Sequence, residues 1–389
     1  MLTAAERDII KATVPLLETG GEALTQHFYN IMLEEYTDVR PLFNRASQSS
    51  GDQPRALARS LLMYAKNIDA LENLGDMVKT IIHKHASLQI LPEHYAIVGT
   101  CLLRAIREVL GEEVATDEVI SAWEKAYFNL AGLLTEQEEG LYLQAEQAEG
   151  GWRGERLFYI DKKVQESDVI TSFYLKPIDG KPIIQHQPGQ FLGFRFILLE
   201  GEQRRNYSIS SAPNSEYYRI SVKREDQGVV SNYLHNTLKE GDRLRVFPPF
   251  GVFTLKDSER PVALISAGVG ITPMVPMLEQ ALAANREIYF IHAAQNHEVD
   301  PFYHWLYEKA EQHPNLTVFK CYEDNQSGKA DQAGRLDKDL LAKILPNTNM
   351  DVYYLGPTPF MEMIKQALTE LGFDQEHCHY EFFGPSEVL

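Results

Sequence analysis

A chain of 389 residues is well beyond the ~150 typical of one domain and is expected to form two or three. With 44% hydrophobic and 24% charged residues, disorder and collagen are excluded and there is apolar material for several cores. Lys+Arg 37 against Asp+Glu 55 leaves a net charge of −18, a surface that repels nucleic acid and anionic lipid and argues against both as partners.

The three cysteines, Cys101, Cys321 and Cys378, are odd in number and far apart, as reduced thiols are. Residues 1–8 carry no basic segment followed by an apolar one, and no apolar run reaches membrane-spanning length. A cytoplasmic protein without an integral membrane segment is expected.

From Leu2 to about Ala148 the only prolines are Pro15, Pro41, Pro54 and Pro92, and apolar residues recur at helical spacing. Leu57, Leu61, Tyr64 and Ile68 step by four, three and four, placing one stripe on a helix that faces a core. Gly20-Gly21 reads as a stop signal, Asp52 before Gln53-Pro54 as a start, and Pro92 as another start, so at least six helices are expected. This stretch holds 12 basic and 23 acidic residues to position 150, so the acidity is concentrated here.

Glycines crowd into Ala145–Gly154 and helical periodicity ends. Short β-rich runs follow at Arg156–Val164, Val169–Lys176, Gln190–Leu198, Tyr217–Lys223 and Arg243–Phe247, as in a small antiparallel barrel. From Pro261, strand and helix alternate: Val262–Ser266, Pro273–Ala284, Glu287–Ala293, Pro301–Gln312, Thr317–Tyr322, Leu336–Leu345, Asp351–Leu355 and Phe360–Leu371. Repeated βα units predict a doubly wound parallel sheet. Three domains are expected, at 1–147, 152–258 and 259–389.

Three elements suit a nucleotide. Gly268-Val269-Gly270-Ile271-Thr272-Pro273 joins a strand to a helix, with Thr272 placed as N-cap and Pro273 as first helical residue, so that backbone can approach a diphosphate at the positive end of the helix. Arg205-Asn206-Tyr207-Ser208 ends a barrel strand with a guanidinium for phosphate, a phenol to stack on a planar ring and a hydroxyl donor. Gly228-Val229-Val230-Ser231 opens a short helix able to hold phosphate through backbone N–H groups. Their order, with Gly356-Pro357 and Glu381-Phe382-Phe383-Gly384-Pro385 further on, resembles the ferredoxin–NADP reductase family. That resemblance implies that Phe191, Arg205, Asn206, Tyr207 and Ser208 hold FAD. It also implies that Gly268 to Pro273 and Phe382 to Pro385 line the nicotinamide site. His292-Ala-Ala-Gln-Asn296 offers no cation for a 2′-phosphate, which leans toward NADH while leaving NADPH open.

In the helical part, His85 has Ile81, Ile82 and Leu88 as its helical neighbours, surroundings suited either to a core histidine or to an axial haem ligand. Tyr29 follows Phe28 on a helix whose buried face is Leu24, Phe28 and Met32, so its hydroxyl needs a partner. Gln53 and Leu57 lie one turn apart, and Phe43 sits at a helix corner. Together these match the globin pattern.

A globin fused to this reductase resembles the flavohaemoglobins, through Gly51-Asp52-Gln53, Lys84-His85, Ala122-Trp123-x-Lys125-Ala126-Tyr127 and Gly150-Gly151-Trp152. The resemblance implies haem b bound by His85, and a proximal network of Tyr95 with Glu138 or Glu139 that strengthens the ligand. It implies a distal side of Tyr29, Gln53 and Leu57, and Lys84 meeting Glu381 near the haem–flavin boundary. The implied activity is nitric oxide dioxygenation by a monomer: NADH or NADPH reduces FAD, FAD reduces haem, and haem-bound dioxygen converts nitric oxide to nitrate. The alternatives are a haem-based gas sensor or store, and a general flavin reductase of ferric iron or peroxides. His377 and His379, placed on one face of a strand, are read as sheet packing without zinc.

Overall fold

A computed structural model describes residues 2–43 and 51–384. Their contacts divide into two compact units, one of residues up to Glu146 with Arg195–Arg205 and Gly384, the other of Gln147–Phe194 and Asn206–Phe383.

The helical region holds α1 (Ala4–Ala12), α2 (Val14–Glu35), α3 (Asp52–Lys66), α4 (Gly75–Ser87), α5 (Pro92–Leu110) and α6 (Asp117–Gln147). Thr3 caps α1 in a reciprocal pair with Glu6. The expected stop at Gly20-Gly21 does not occur, because α2 runs straight through both glycines. Gly21 faces Ala58 of α3, where an added Cβ would make an ordinary contact at 3.5 Å, and Gly20 has nothing within 4 Å of an added Cβ. The α2 face of Leu24, Phe28 and Met32 is buried with Leu61 and Tyr64 of α3 and with Ile68, which lies just past the end of that helix.

In the second region six strands lie in the order β4-β3-β6-β1-β2-β5, namely β4 (Gly201–Ser208), β3 (Phe191–Leu198), β6 (Arg243–Phe250), β1 (Arg156–Gln165), β2 (Ile170–Pro177) and β5 (Tyr218–Lys223). β1 pairs antiparallel with β2 and β6, and β2 with β5. A bridge between Ile209 and Ile220 joins the two ends of that order and closes the sheet into a barrel. Gly189, at φ 106, precedes β3 where an added Cβ would meet the Phe253 carbonyl oxygen at 1.9 Å.

The last region is a parallel sheet in the order β10-β9-β8-β7-β11-β12, built from β7 (Val262–Ala267), β8 (Ile288–Ala294), β9 (Leu316–Tyr322), β10 (Gln332–Ala333), β11 (Asp351–Leu355) and β12 (Cys378–Tyr380). Its central strands are buried on both sides, with Val262 and Leu264 in one core and Ala263 and Ile265 in the other. Chain order reverses between β7 and β11, the switch point at which open parallel sheets bind ligands. His377 ends a short 3-10 turn and is not in β12, so it does not share a strand face with His379 as expected. It pairs with Asp351 at 3.1 Å, while His379 stacks on Tyr353 at 4.7 Å.

Replacing Gly189 by alanine places a methyl group against the Phe253 carbonyl and is expected to cost about 3 kcal/mol. Thermal unfolding with flavin fluorescence as the probe checks this, and an unchanged midpoint would contradict it.

Candidate functional site

His85 stands near the C-terminal end of α4. Its Nδ1 lies 2.8 Å from the Tyr95 hydroxyl on α5 and 2.8 Å from Glu138 Oε1 on α6. Tyr95 donates to the same Oε1 at 2.6 Å. Burial, reinforced by the Glu138 carboxylate, holds the Tyr95 phenol far above its usual range, so it remains a donor. Two phenols brace the group from outside: Tyr127 donates to the Tyr95 carbonyl at 2.7 Å and Tyr142 to the Ile90 carbonyl at 2.9 Å. Neither brace was anticipated from sequence, where an aromatic on a helix reads as core packing.

Glu138 is 2% exposed, whereas Glu139 is half-buried on a different face of α6. A carboxylate accepts only, so His85 Nδ1 carries a proton toward Glu138, and in the neutral tautomer the lone pair lies on Nε2. In that tautomer Nε2 can bind an iron, and an imidazole backed by a buried carboxylate is a donor set that fits a haem ligand.

On α2, Tyr29 is 5% exposed and its hydroxyl has no hydrogen-bond partner among the described residues. Burial raises its pKa well above the ordinary phenol value, which keeps the proton in place. Phe43 meets the Tyr29 ring edge-on at 5.6 Å and fixes its plane. Gln53 and Leu57 are half-buried, one turn apart on α3, and Leu57 packs against the core that contains Tyr29. A buried donor beside an apolar wall can hold a small ligand that accepts a hydrogen bond. Lys84 donates to the Gly384 carbonyl at 2.7 Å.

In the barrel, Phe191 is buried on β3 and its ring lies against Gly251, where φ is 128 and a Cβ would come within 3.0 Å of it. Arg205, on β4, is held by the Arg204 carbonyl at 2.6 Å and Gln203 Oε1 at 3.0 Å. Asn206 and Tyr207 are half-buried beyond it, Tyr207 meets Phe194 edge-on at 5.7 Å, and Ser208 is buried. One strand thus presents a guanidinium, a ring and a hydroxyl, a set that fits a flavin's phosphate and planar ring. Ser231, in α7 (Val229–Asn232), accepts from the Glu225 backbone N–H at 3.2 Å and donates to the Gly228 carbonyl at 3.2 Å.

At the switch point, Gly268–Ile271 form a 3-10 turn after β7. Thr272 is not the N-cap, as expected, because its hydroxyl donates back to the Val269 carbonyl at 3.0 Å. Pro273 takes the cap position and α8 (Met274–Ala283) starts after it. The extra 3-10 turn moves the helix start by one residue. Gly268 has φ 54 and nothing within 4 Å of an added Cβ, whereas a Cβ on Gly270 would meet the Leu355 carbonyl oxygen at 2.3 Å. The loop is therefore open above and packed on β11 below, the form a diphosphate cradle takes. Glu381 and Phe382 are half-buried, Phe382 meeting Tyr380 edge-on at 5.8 Å, and Phe383 is 51% exposed. Gly384 is exposed, and Pro385 lies outside the described residues.

Comparison with known proteins places the chain's domains. Residues 26–134 match the globin model, 158–255 the oxidoreductase FAD-binding domain and 264–366 the oxidoreductase NAD-binding domain. The flavohemoprotein of Pseudomonas aeruginosa is 56% identical over the full length of both chains. The chain belongs to the flavohemoprotein family. The Bacillus cereus member is 45% identical, again over all of both chains. The crystal structure of flavohemoglobin from Malassezia yamatoensis, with bound FAD and heme, covers 98% of this chain and all of its own at TM-score 0.87 and 27% identity. The FAD/NAD-binding domain of the nitric oxide dioxygenase from Vibrio cholerae covers 60% of this flavohemoprotein and 100% of its own chain, at TM-score 0.56 and 36% identity. Its globin, FAD-binding and NAD-binding domains make it an oxidoreductase. Among the described residues no helix is long and apolar enough to cross a membrane.

Glu138→Ala leaves the Tyr95 hydroxyl and the His85 Nδ1–H without their buried acceptor, and is expected to lower stability by about 3 kcal/mol. Denaturant titration followed by helical circular dichroism measures it, and a change below about 0.5 kcal/mol would mean the carboxylate does not hold the three helices.

Proposed function

We propose that this flavohemoprotein is a nitric oxide dioxygenase that holds haem b through His85, FAD in its barrel and NADH or NADPH at the switch point of its parallel sheet, and works in the cytoplasm as a monomer. The observation that carries the reading is the buried carboxylate behind His85: a gas store has no need of a strengthened proximal donor. The naming of a Vibrio cholerae relative as a nitric oxide dioxygenase supports the choice of substrate. When bound, NADH or NADPH would supply hydride, FAD would accept it and pass on single electrons, and haem would supply dioxygen activation.

The chain's own residues set the conditions. Glu138 pulls on Nδ1–H and so raises the donor strength of Nε2, while Tyr95 fixes the carboxylate against rotation. Tyr29 keeps its proton and offers it as a hydrogen bond to a partly negative diatomic, with Gln53 as a second polar group and Phe43 holding the ring. Leu57 keeps the wall beside Tyr29 apolar, which admits nitric oxide more readily than water. Phe191, Arg205, Asn206, Tyr207 and Ser208, with Gly228 and Ser231, hold FAD. Gly268, Val269, Gly270, Ile271, Thr272 and Pro273 cradle the nucleotide diphosphate, and Glu381, Phe382, Phe383 and Gly384 flank the nicotinamide, with Lys84 fastened to the Gly384 carbonyl.

His85→Ala is expected to lose the haem absorption band and nitrate formation while NADH still bleaches the flavin; full haem retention would overturn the ligand assignment. Tyr29→Phe removes one hydrogen bond and is expected to raise the dioxygen off-rate about tenfold. Stopped-flow displacement of dioxygen measures it, and an unchanged rate would remove Tyr29 from the mechanism.

A further inference from the structure

The rim of the parallel sheet carries a polar row that the reading above leaves unused. Ser266 on β7, His292 on β8 and Lys320 on β9 are neighbours in the strand register, and all three are 0% exposed. Such groups in strands otherwise made of apolar residues are costly unless each has a partner. Asp300, 3% exposed in the loop between β8 and α9 (Tyr303–Gln312), supplies one for Lys320, while His292 Nε2 makes no hydrogen bond among the described residues and faces the Asp300 carboxylate. Lys320 Nζ lies 2.8 Å from both Asp300 oxygens, and the Tyr322 hydroxyl donates to one of them. Ser266 Oγ lies 2.8 Å from His292 Nδ1, and His292 Nε2 lies 3.4 Å from Asp300 Oδ1. Burial pulls the His292 pKa down to about 3, so the ring is neutral. The nearby Asp300 carboxylate attracts a proton on Nε2, and in that tautomer Nδ1 accepts from the Ser266 hydroxyl.

Both ends of this line reach loops that matter. Ser266 is two residues before Gly268, the start of the phosphate-type turn. Asp300 is two residues before Phe302, which holds a left-handed φ of 59 and packs its ring under the Arg219 guanidinium of β5 at 5.2 Å. The Asp168 N–H, from the β1–β2 turn, donates to the Glu298 carbonyl at 2.9 Å. The segment around Asp300 is thus anchored to barrel residues on one side and to the sheet interior on the other.

We propose that the Ser266–His292–Asp300 line, locked by Lys320 and Tyr322, positions the Gly268–Pro273 loop for nicotinamide nucleotide, with His292 a positioning residue that does not touch the nucleotide. The inference rests on the reading of that loop as the nucleotide site. It gives a function to an imidazole that burial alone would exclude.

The test is steady-state NADH oxidation by the full-length protein loaded with haem and flavin. His292→Leu is expected to raise the KM for NADH about tenfold, the worth of one buried hydrogen bond, with kcat within about twofold and haem and flavin content unchanged. His292→Asn keeps an acceptor for Ser266 and is expected to bring KM back to within about threefold of the parent. Ser266→Ala, a small change that the fold tolerates, is expected to raise KM about threefold. Val269→Asp sets a carboxylate in the loop itself and reports on the underlying reading. If Val269→Asp raises KM and neither His292→Leu nor Ser266→Ala does, the positioning line is wrong; if none of the three does, the loop is not the nucleotide site. Equal loss in the leucine and asparagine variants would also overturn the proposal, because general packing and not the hydrogen bond would then be at work.

Discussion

The Glu138 carboxylate is buried to 2%, and much of the helical half follows from the need to satisfy it. A charge taken out of water must be met by donors of fixed geometry, and here they come from two other helices, His85 on α4 and Tyr95 on α5. One interaction therefore ties three helices, sets the tautomer of an imidazole and decides which nitrogen is left for a metal. Tyr127 and Tyr142 then fix the backbone of the same region from α6, whereas the Tyr29 phenol of α2 has no hydrogen-bond partner among the described residues.

The second half of the chain has a different constraint, the close packing of a glycine turn on the parallel sheet. Gly270 lies so close to the Leu355 carbonyl that no side chain fits, and Gly268 is open at a positive φ. The pairing of one crowded and one open glycine at the switch point explains why the loop can be both anchored and accessible. In the barrel, Gly251 at φ 128 leaves room for the Phe191 ring, and Gly189 at φ 106 leaves room for the Phe253 carbonyl.

Much of this was legible in the amino-acid order. The periodicity of Leu57, Leu61, Tyr64 and Ile68 reports the α3 stripe because burial demands that spacing, and the alternating βα units report the parallel sheet for the same reason. What escaped was tertiary. Gly20-Gly21 looks like a helix stop, yet α2 runs through both because the helix on either side is held by its buried face. Thr272 has the chemistry of an N-cap, yet the preceding 3-10 turn claims its hydroxyl. Lys320, inside the run Leu316–Tyr322, was the one visible sign of a buried polar row, since a lysine there needs an acid that sequence does not locate. His292 was read only for the absence of a cation after it, not for its own place beside Ser266.

The central claim is that a strengthened proximal histidine and a flavin path serve nitric oxide dioxygenation, and its most direct test is stoichiometric. NADH carries two electrons, and each conversion of nitric oxide and dioxygen to nitrate takes one. With nitric oxide added to the aerobic, cofactor-loaded protein, two nitrates are expected for every NADH consumed. NADH consumption that yields peroxide or reduced flavin without nitrate would contradict the account.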